Sequence, residues 1–405
     1  MCEKCDLDSE MKNSHFILFL VLMLMVGGME ARTLKDTIRH RTIHQLGLEI
    51  HPTYVVPTHR FIKGNNHTGE PIRAALSGHV KYGFQFAKGT RFNRLYPFAY
   101  QGIGVGFNDF LGTSHFGSPV AIYAYQGSQI ARINSRLTFN YEWNFGVSFG
   151  WKEYNYDTYE KNHVIGTDLD VYMNLAFLFN WQLSSHYHLT TGVSMTHCSN
   201  GNTHYPNQGL NLLEGKIGIV RTFGDEEDKK SLAALTGPSL HLRRRVSYDL
   251  IVYGGFRVRE IKYEGKKYIP KKNFPVVGIN FNPMYHFNNN LRAGASLDLQ
   301  YDESSNLTNH VDGVQDGQIQ YHSQPFHERL SAGISLRGEW AMPIFAINAG
   351  IGYNVYAKSF DTKKFYQVLA MKIFLNEKLF IHIGYQMNQF KDPNNLMLGL
   401  GYRFH

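Results

Sequence analysis

The sequence predicts an all-β protein, a transmembrane antiparallel barrel of the outer-membrane kind with about 14–16 strands. Three observations carry this. Apolar and polar residues alternate over segments far longer than the roughly 5–6 residues of an ordinary soluble strand. Aromatic residues reach 14% of the 405 and gather near segment ends, where girdles at two membrane interfaces would need them. Charged residues are only 18%, against about 25% in soluble domains. Mean hydropathy is nevertheless slightly negative, as in a barrel whose every second residue faces a polar interior.

The chain opens with an acidic stretch, Glu3, Asp6, Asp8 and Glu10, enclosing Cys2 and Cys5. An apolar run from Phe16 to Val26 follows. It is too short to span as a helix and reads as the core of a secretory signal. Residues 1–31 are therefore expected to be a removed signal peptide, with Met11 as a candidate true start, and 32–405 the barrel. Loss of those two Lys and five acids raises the formal charge from +8 to +11. Cys198 is then the one cysteine left, so neither an internal disulfide nor a Cys-x-x-Cys metal site is expected.

Counting of spanning segments starts at Ala74. From Leu137 to Trp151 every odd position is apolar, and the even ones are Thr, Asn, Glu, Asn, Gly, Ser and Gly. Val171 to Trp181, Leu291 to Tyr301, Phe345 to Val355, Leu379 to Met387 and Leu396 to Phe404 repeat the pattern. Polar turns such as Asn288-Asn289-Asn290 and Asn376-Glu377-Lys378 join segments. Asp302 to Glu328 reads as a surface loop. Gly224 to Arg245 reads as a loop within one barrel or a linker between two. Its triplet Arg243-Arg244-Arg245 suits either solvent or anionic lipid phosphates. The segments after 245 keep the same alternation, and 224–245 is short for a linker. A single barrel is accordingly preferred to two eight-stranded barrels in tandem. Residues 175–200 also resemble 279–302, though Leu299 and Tyr301 stand at the His197 and Ser199 positions.

The stretch 196–223 carries the chemistry. His197 and Ser199 are two apart, so on a strand they share a face. Alternation puts that face, with Val193 and Met195, toward lipid. On the next segment Asn211 shares the outward side and Glu214 points inward, near Lys216. Polar groups facing hydrocarbon are costly and mark function. A histidine beside a serine makes a nucleophile, Asn211 can orient the imidazole as a triad's third member does, and Asn200 with backbone N–H groups in its turn can hold an oxyanion. His163, His186, His188, His204 and His241 show no spacing with Cys, Asp or Glu that suggests a metal. No phosphate-cradling glycine loop and no nucleic-acid signature is present, so neither a cofactor nor a nucleic-acid partner is expected.

Residues 187–223 resemble the end of the PagL-type lipid A 3-O-deacylase family of outer-membrane barrel esterases. The likeness rests on His197-Cys198-Ser199-Asn200-Gly201, then Pro206-Asn207-Gln208-Gly209, then Leu210-Asn211. It implies Ser199 as nucleophile, His197 as base and Asn200 at the oxyanion, with Asn207 matching a turn asparagine of the family. More loosely it covers 75–224, the expected deacylase-like portion. Asn211 falls where the family carries an acid, and about 180 residues follow where the family's eight-stranded barrel ends. The resemblance implies a serine esterase of a Gram-negative outer membrane that removes an acyl chain from lipid A. Its partners would be lipopolysaccharide and outer-membrane lipids. The alternative is a non-catalytic pore or structural barrel with a degenerate site.

Overall fold

In the computed structural model the described residues are 42–87, 89–154, 162, 164–224, 237–390 and 392–405. The expected signal segment 1–31, with Met11, Cys2 and Cys5, and also His163 and residues 225–236 of the connecting stretch, lie outside them. The chain folds as two closed eight-stranded antiparallel barrels in succession.

The first barrel contains β1 (Thr42–Val55), β2 (Ala74–Phe86), β3 (Tyr100–Asp109), β4 (Gly117–Arg132), β5 (Leu137–Trp151), β6 (Asp170–Gln182), β7 (Tyr187–Ser199) and β8 (Leu210–Thr222). A short helix α1 (Arg91–Leu95) lies between β2 and β3. The second barrel contains β9 (Val246–Arg257), β12 (Phe274–His286), β13 (Leu291–Asp302), β16 (Leu330–Ala341), β17 (Phe345–Ala357), β18 (Phe365–Phe374), β19 (Leu379–Asn388) and β20 (Asp392–Phe404). Two small hairpins sit in its loops, β10 (Ile261–Tyr263) with β11 (Lys266–Tyr268), and β14 (Val311–Gln315) with β15 (Gln318–Tyr321).

Sixteen strands agree with the upper end of the sequence estimate, but they close as two barrels and not as the preferred single one. Closure is a long-range event. β8 pairs back onto β1, with Ile50 opposite Ile217 and Thr53 opposite Glu214. β20 pairs back onto β9, with Leu400 opposite Val252. Nothing in local alternation encodes those pairings. β1 itself lies before the first counted segment. Its outer face, Leu46, Leu48, Ile50 and Tyr54, is interrupted by Pro52, and its inner face buries Glu49, His51 and Thr53.

Alternation otherwise predicts the faces correctly. On β7, Val193 and Met195 are exposed while Ser194 and Thr196 are buried, and on β8 Leu213, Ile217 and Ile219 are exposed while Leu212, Glu214 and Lys216 are buried. The exposed apolar faces continue around both barrels except along the side where the two touch, a pattern suited to hydrocarbon contact.

Interiors are filled with paired charge. In the first barrel the Lys81 ammonium sits 2.9 Å from Glu49 and 2.6 Å from Glu142, and Lys216 lies 3.2 Å from Glu142 and 3.3 Å from Glu49. Glu214 is inward as expected, but it accepts from Ser194 (2.6 Å) and Asn174 (3.1 Å), while Lys216 turns to the other carboxylates. In the second barrel Lys372 bridges Asp249 (2.7 Å) and Glu339 (2.5 Å), and Arg403 and Arg292 complete the cluster. Buried charge is tolerable only when paired in this way.

Both barrels point the same way. The ends of β1 and β8 that carry residues 42 and 222, and the tight turns 133–136 and 183–186, lie at one end; the longer connections 56–73 and 200–209 lie at the other. The same alternation in the second barrel puts residues 246 and 404 with the tight turns and 303–329 with the long loops. The barrels touch along their sides. Trp143 packs edge-on against Phe345 with ring centroids 5.3 Å apart, and Trp340 donates from Nε1 to the Tyr141 hydroxyl at 2.9 Å. The resemblance between 175–200 and 279–302 joins β6–β7 to β12–β13, which occupy different places in their barrels. It reflects the shared demands of barrel hairpins and not a copied unit.

Candidate active site on the outer wall of the first barrel

Antiparallel pairing sets His197 on β7 directly opposite Asn211 on β8. Opposed side chains on one face have Cβ atoms about 4.5–5.5 Å apart, within hydrogen-bond reach. The imidazole Nδ1 meets Asn211 Oδ1 at 2.8 Å, and Nε2 meets the Ser199 hydroxyl at 3.0 Å. An amide oxygen can only accept, so Nδ1 carries the hydrogen and Nε2 offers its lone pair to the serine. That is the tautomer a general base for Ser199 needs. His197 and Asn211 are half-buried, and Ser199 retains 8% of its exposure.

The residues that follow the pair form a hydrogen-bonded loop. The Asn207 side-chain oxygen accepts from the Asn200 backbone N–H at 3.2 Å. Asn200 donates from Nδ2 to the His204 carbonyl (3.0 Å) and accepts from the Asn202 N–H (3.1 Å). Its amide therefore shapes the turn, with a second Nδ2 hydrogen beyond that bond. Gly201 and Gly209 both adopt positive φ, +66° each. At Gly209 a Cβ would stand 2.8 Å from His197 Cε1, so the bare glycine is what leaves room for the ring.

The structure thus brings together all five residues singled out from sequence, His197, Ser199, Asn200, Asn207 and Asn211. Two features escape sequence reading. One is Gly209, whose packing against the imidazole follows from the return of the chain and not from its motif. The other is Asn202, which donates to the Asn394 carbonyl at 3.1 Å and receives the Val258 N–H at 3.0 Å. Both partners belong to the second barrel. Leu396 on β20 also fills the space where a Gly201 side chain would be. The loop that follows Ser199 is docked on the neighbouring barrel, through residues with no motif to announce them.

At the corresponding last hairpin of the second barrel, β19 ends at Met387-Asn388 and β20 begins at Asp392. Gln389, Phe390 and Lys391 are there, with no His-x-Ser. Among the described residues, no group of three or more His, Cys, Asp or Glu side chains is arranged to hold a metal ion.

Residues 246–405 match a family model described as the acyloxyacyl hydrolase C-terminal domain. No curated protein matches the chain. Among solved structures, the siderophore receptor PirA from Pseudomonas aeruginosa aligns at 8% identity over 91% of this chain and 82% of that chain, with a TM-score of 0.24. The ferric enterobactin receptor PfeA aligns at 8% identity over 89% and 72%, with a TM-score of 0.25. The monoaromatic hydrocarbon channel TodX aligns at 9% over 89% and 90%, with a TM-score of 0.17. At such scores these likenesses carry no weight beyond themselves. The matched family domain coincides with the second barrel, and the His/Ser/Asn group lies in the first. Over its second barrel the chain is thus similar to the C-terminal domain of acyloxyacyl hydrolases.

Proposed function

We propose that the protein is an outer-membrane serine esterase that removes an ester-linked acyl chain from lipid A. The observation that carries this is the continuous Asn211–His197–Ser199 relay, at 2.8 and 3.0 Å, on the lipid-facing wall. It lies at the end bearing the long connections, opposite the tight turns, which for an outer-membrane barrel is the outer-leaflet side. A soluble substrate would not require a nucleophile on that surface. A lipid reaches it by lateral diffusion.

Ser199 Oγ attacks the ester carbonyl as its proton passes to His197 Nε2. The carbonyl π pair moves onto oxygen, held by backbone N–H groups of the turn and the second Asn200 Nδ2 hydrogen. Collapse expels the lipid hydroxyl, which takes the proton from His197. Water, deprotonated by the same imidazole, then cleaves the acyl-enzyme to a fatty acid and restores Ser199. Asn211 holds Nδ1–H throughout and keeps the ring in register. It adds no charge to balance the imidazolium.

The deciding experiment is mass spectrometry of lipid A from cells expressing the full chain beside Ser199→Ala. Loss of one acyl mass with the parent protein alone is expected, with heat-modifiable barrel folding the same in both. Acyl loss that persists in Ser199→Ala sinks the nucleophile assignment.

The second reading is a non-catalytic barrel, and the uncharged Asn211 favours it. Its pore form fits less well. A cavity of about 180 Å³ in the first barrel, lined by Gln45, Arg132, Asn140 and Thr190 among others, ends on the Glu49–Lys81–Glu142 ion cluster. Negligible conductance in planar bilayers is expected.

A further inference from the structure

We propose that the long loop between β13 and β16 binds one divalent transition-metal cation between His310 and His322, with water completing the coordination. The two histidines flank the β14–β15 hairpin at its open end, tied by the His322 N–H to the His310 carbonyl at 3.0 Å. Their rings meet edge to face, and His310 Nδ1 stands 3.0 Å from His322 Nε2.

The far nitrogen of each ring is held by a carboxylate. Glu328 lies 2.8 Å from His310 Nε2, and Asp312 lies 2.7 Å from His322 Nδ1. An ionised carboxylate only accepts, so each of those nitrogens must carry a hydrogen. In the neutral rings the hydrogen is thereby fixed on the far side, and the two facing nitrogens each present a lone pair. Two lone pairs at 3.0 Å repel. Something positive must lie between them, either a proton shared by an imidazole and an imidazolium or a metal ion.

The arrangement matches what metal-bound histidines need. A ligating imidazole almost always donates its other N–H to a carboxylate or carbonyl, which fixes its tautomer and raises its basicity. Here both do so, in mirror fashion. With metal–nitrogen bonds of about 2.0–2.1 Å, a 3.0 Å separation gives an N–metal–N angle of roughly 94°. That is near the right angle of a square-planar or octahedral cis pair and narrower than a tetrahedral one, which favours Cu²⁺ or Ni²⁺ over Zn²⁺. There are two protein ligands and not three. The side chains of His322 and Asp312 are 58% and 53% exposed, so water has access to the remaining positions. A bound ion would clamp the two arms of the hairpin and order the loop at the same barrel end as the candidate active site.

The test is titration of the full chain in detergent micelles with Cu²⁺ alone, followed by calorimetry and electron paramagnetic resonance. One high-affinity equivalent with two-nitrogen ligation is expected. His322→Gln should abolish that equivalent, and Asp312→Asn should weaken it about 10–100-fold by releasing the outer partner. Both variants should keep the heat-modifiable migration of the parent, since the loop lies outside the barrel walls. Identical Cu²⁺ binding by the parent and His322→Gln, or no binding by the parent, overturns the proposal and leaves the pair sharing a proton alone.

Discussion

Asn211 raises the sharpest question at the level of single residues, because a carboxylate would do more there. Its oxygen sets the useful tautomer, but it adds no charge when His197 takes the proton. Asn211→Asp keeps the acceptor and supplies the charge. It should raise the deacylation rate roughly tenfold, about 1.4 kcal/mol of barrier. Asn211→Leu removes the orienting bond and should lower the rate by about 10²–10⁴. Comparing initial rates of fatty-acid release for the two variants checks both. If Asp proves no better than Asn, charge at that position is not what limits the reaction. Gly209 gives an independent handle. With φ at +66° and His197 Cε1 2.8 Å from a would-be Cβ, Gly209→Ala must push the ring off Ser199. A displacement near 1 Å is enough for about a hundredfold loss of activity, with barrel migration on gels unaltered.

At the scale of elements, strands are held by what their inner faces meet. β18 contributes Lys372, wedged between Asp249 of β9 and Glu339 of β16 at 2.7 and 2.5 Å. Replacing it by Met leaves two buried carboxylates to share Arg403 and Arg292. The cost should be about 3 kcal/mol, the lower end for breaking a buried ion pair. Urea-induced unfolding in lipid vesicles measures it, and a change below 1 kcal/mol would show that the arginines compensate. The hairpin of β7 and β8 shows how much of the site was legible. Period-two alternation placed His197, Ser199 and Asn211 outward and Glu214 inward, because strand geometry leaves a residue only two sides to face. The cross-strand register that sets His197 opposite Asn211 depends on the turn 200–209, with its Gly201 and Gly209 at positive φ and the Asn207 bond to the Asn200 amide. The donors to Glu214, Ser194 and Asn174, were not legible for a related reason. Parity says which residues enter the lumen, but not which strands across it supply their neighbours.

On the scale of the whole molecule, chemistry and family match fall on different barrels. The second barrel, residues 246–405, matches the acyloxyacyl hydrolase C-terminal domain yet has Gln389, Phe390 and Lys391 at its last hairpin. It touches the loop after Ser199 through Asn394, Val258 and Leu396. Asn202→Ala cuts the side-chain part of that junction, worth about 1 kcal/mol for one such bond. It should reduce turnover while Ser199 remains in place, a loss visible as lower kcat with the lipid KM little changed. Unchanged turnover would mean that the turn holds its shape without the neighbouring barrel.

The sequence alone determined the class of strand, the face on which each residue lies and the set of polar residues placed on the outer wall. Those properties are local, fixed by a two-residue period and by the cost of polar groups in hydrocarbon. Only the tertiary structure decided that sixteen strands close as two barrels and that the second one grips the turn beside Ser199. Closure rests on pairings such as Ile50 with Ile217, between residues far apart in the chain. Such a pairing is chosen by the balance of the whole sheet, and alternation reads the same whether a strand finds its last neighbour in one barrel or in the other.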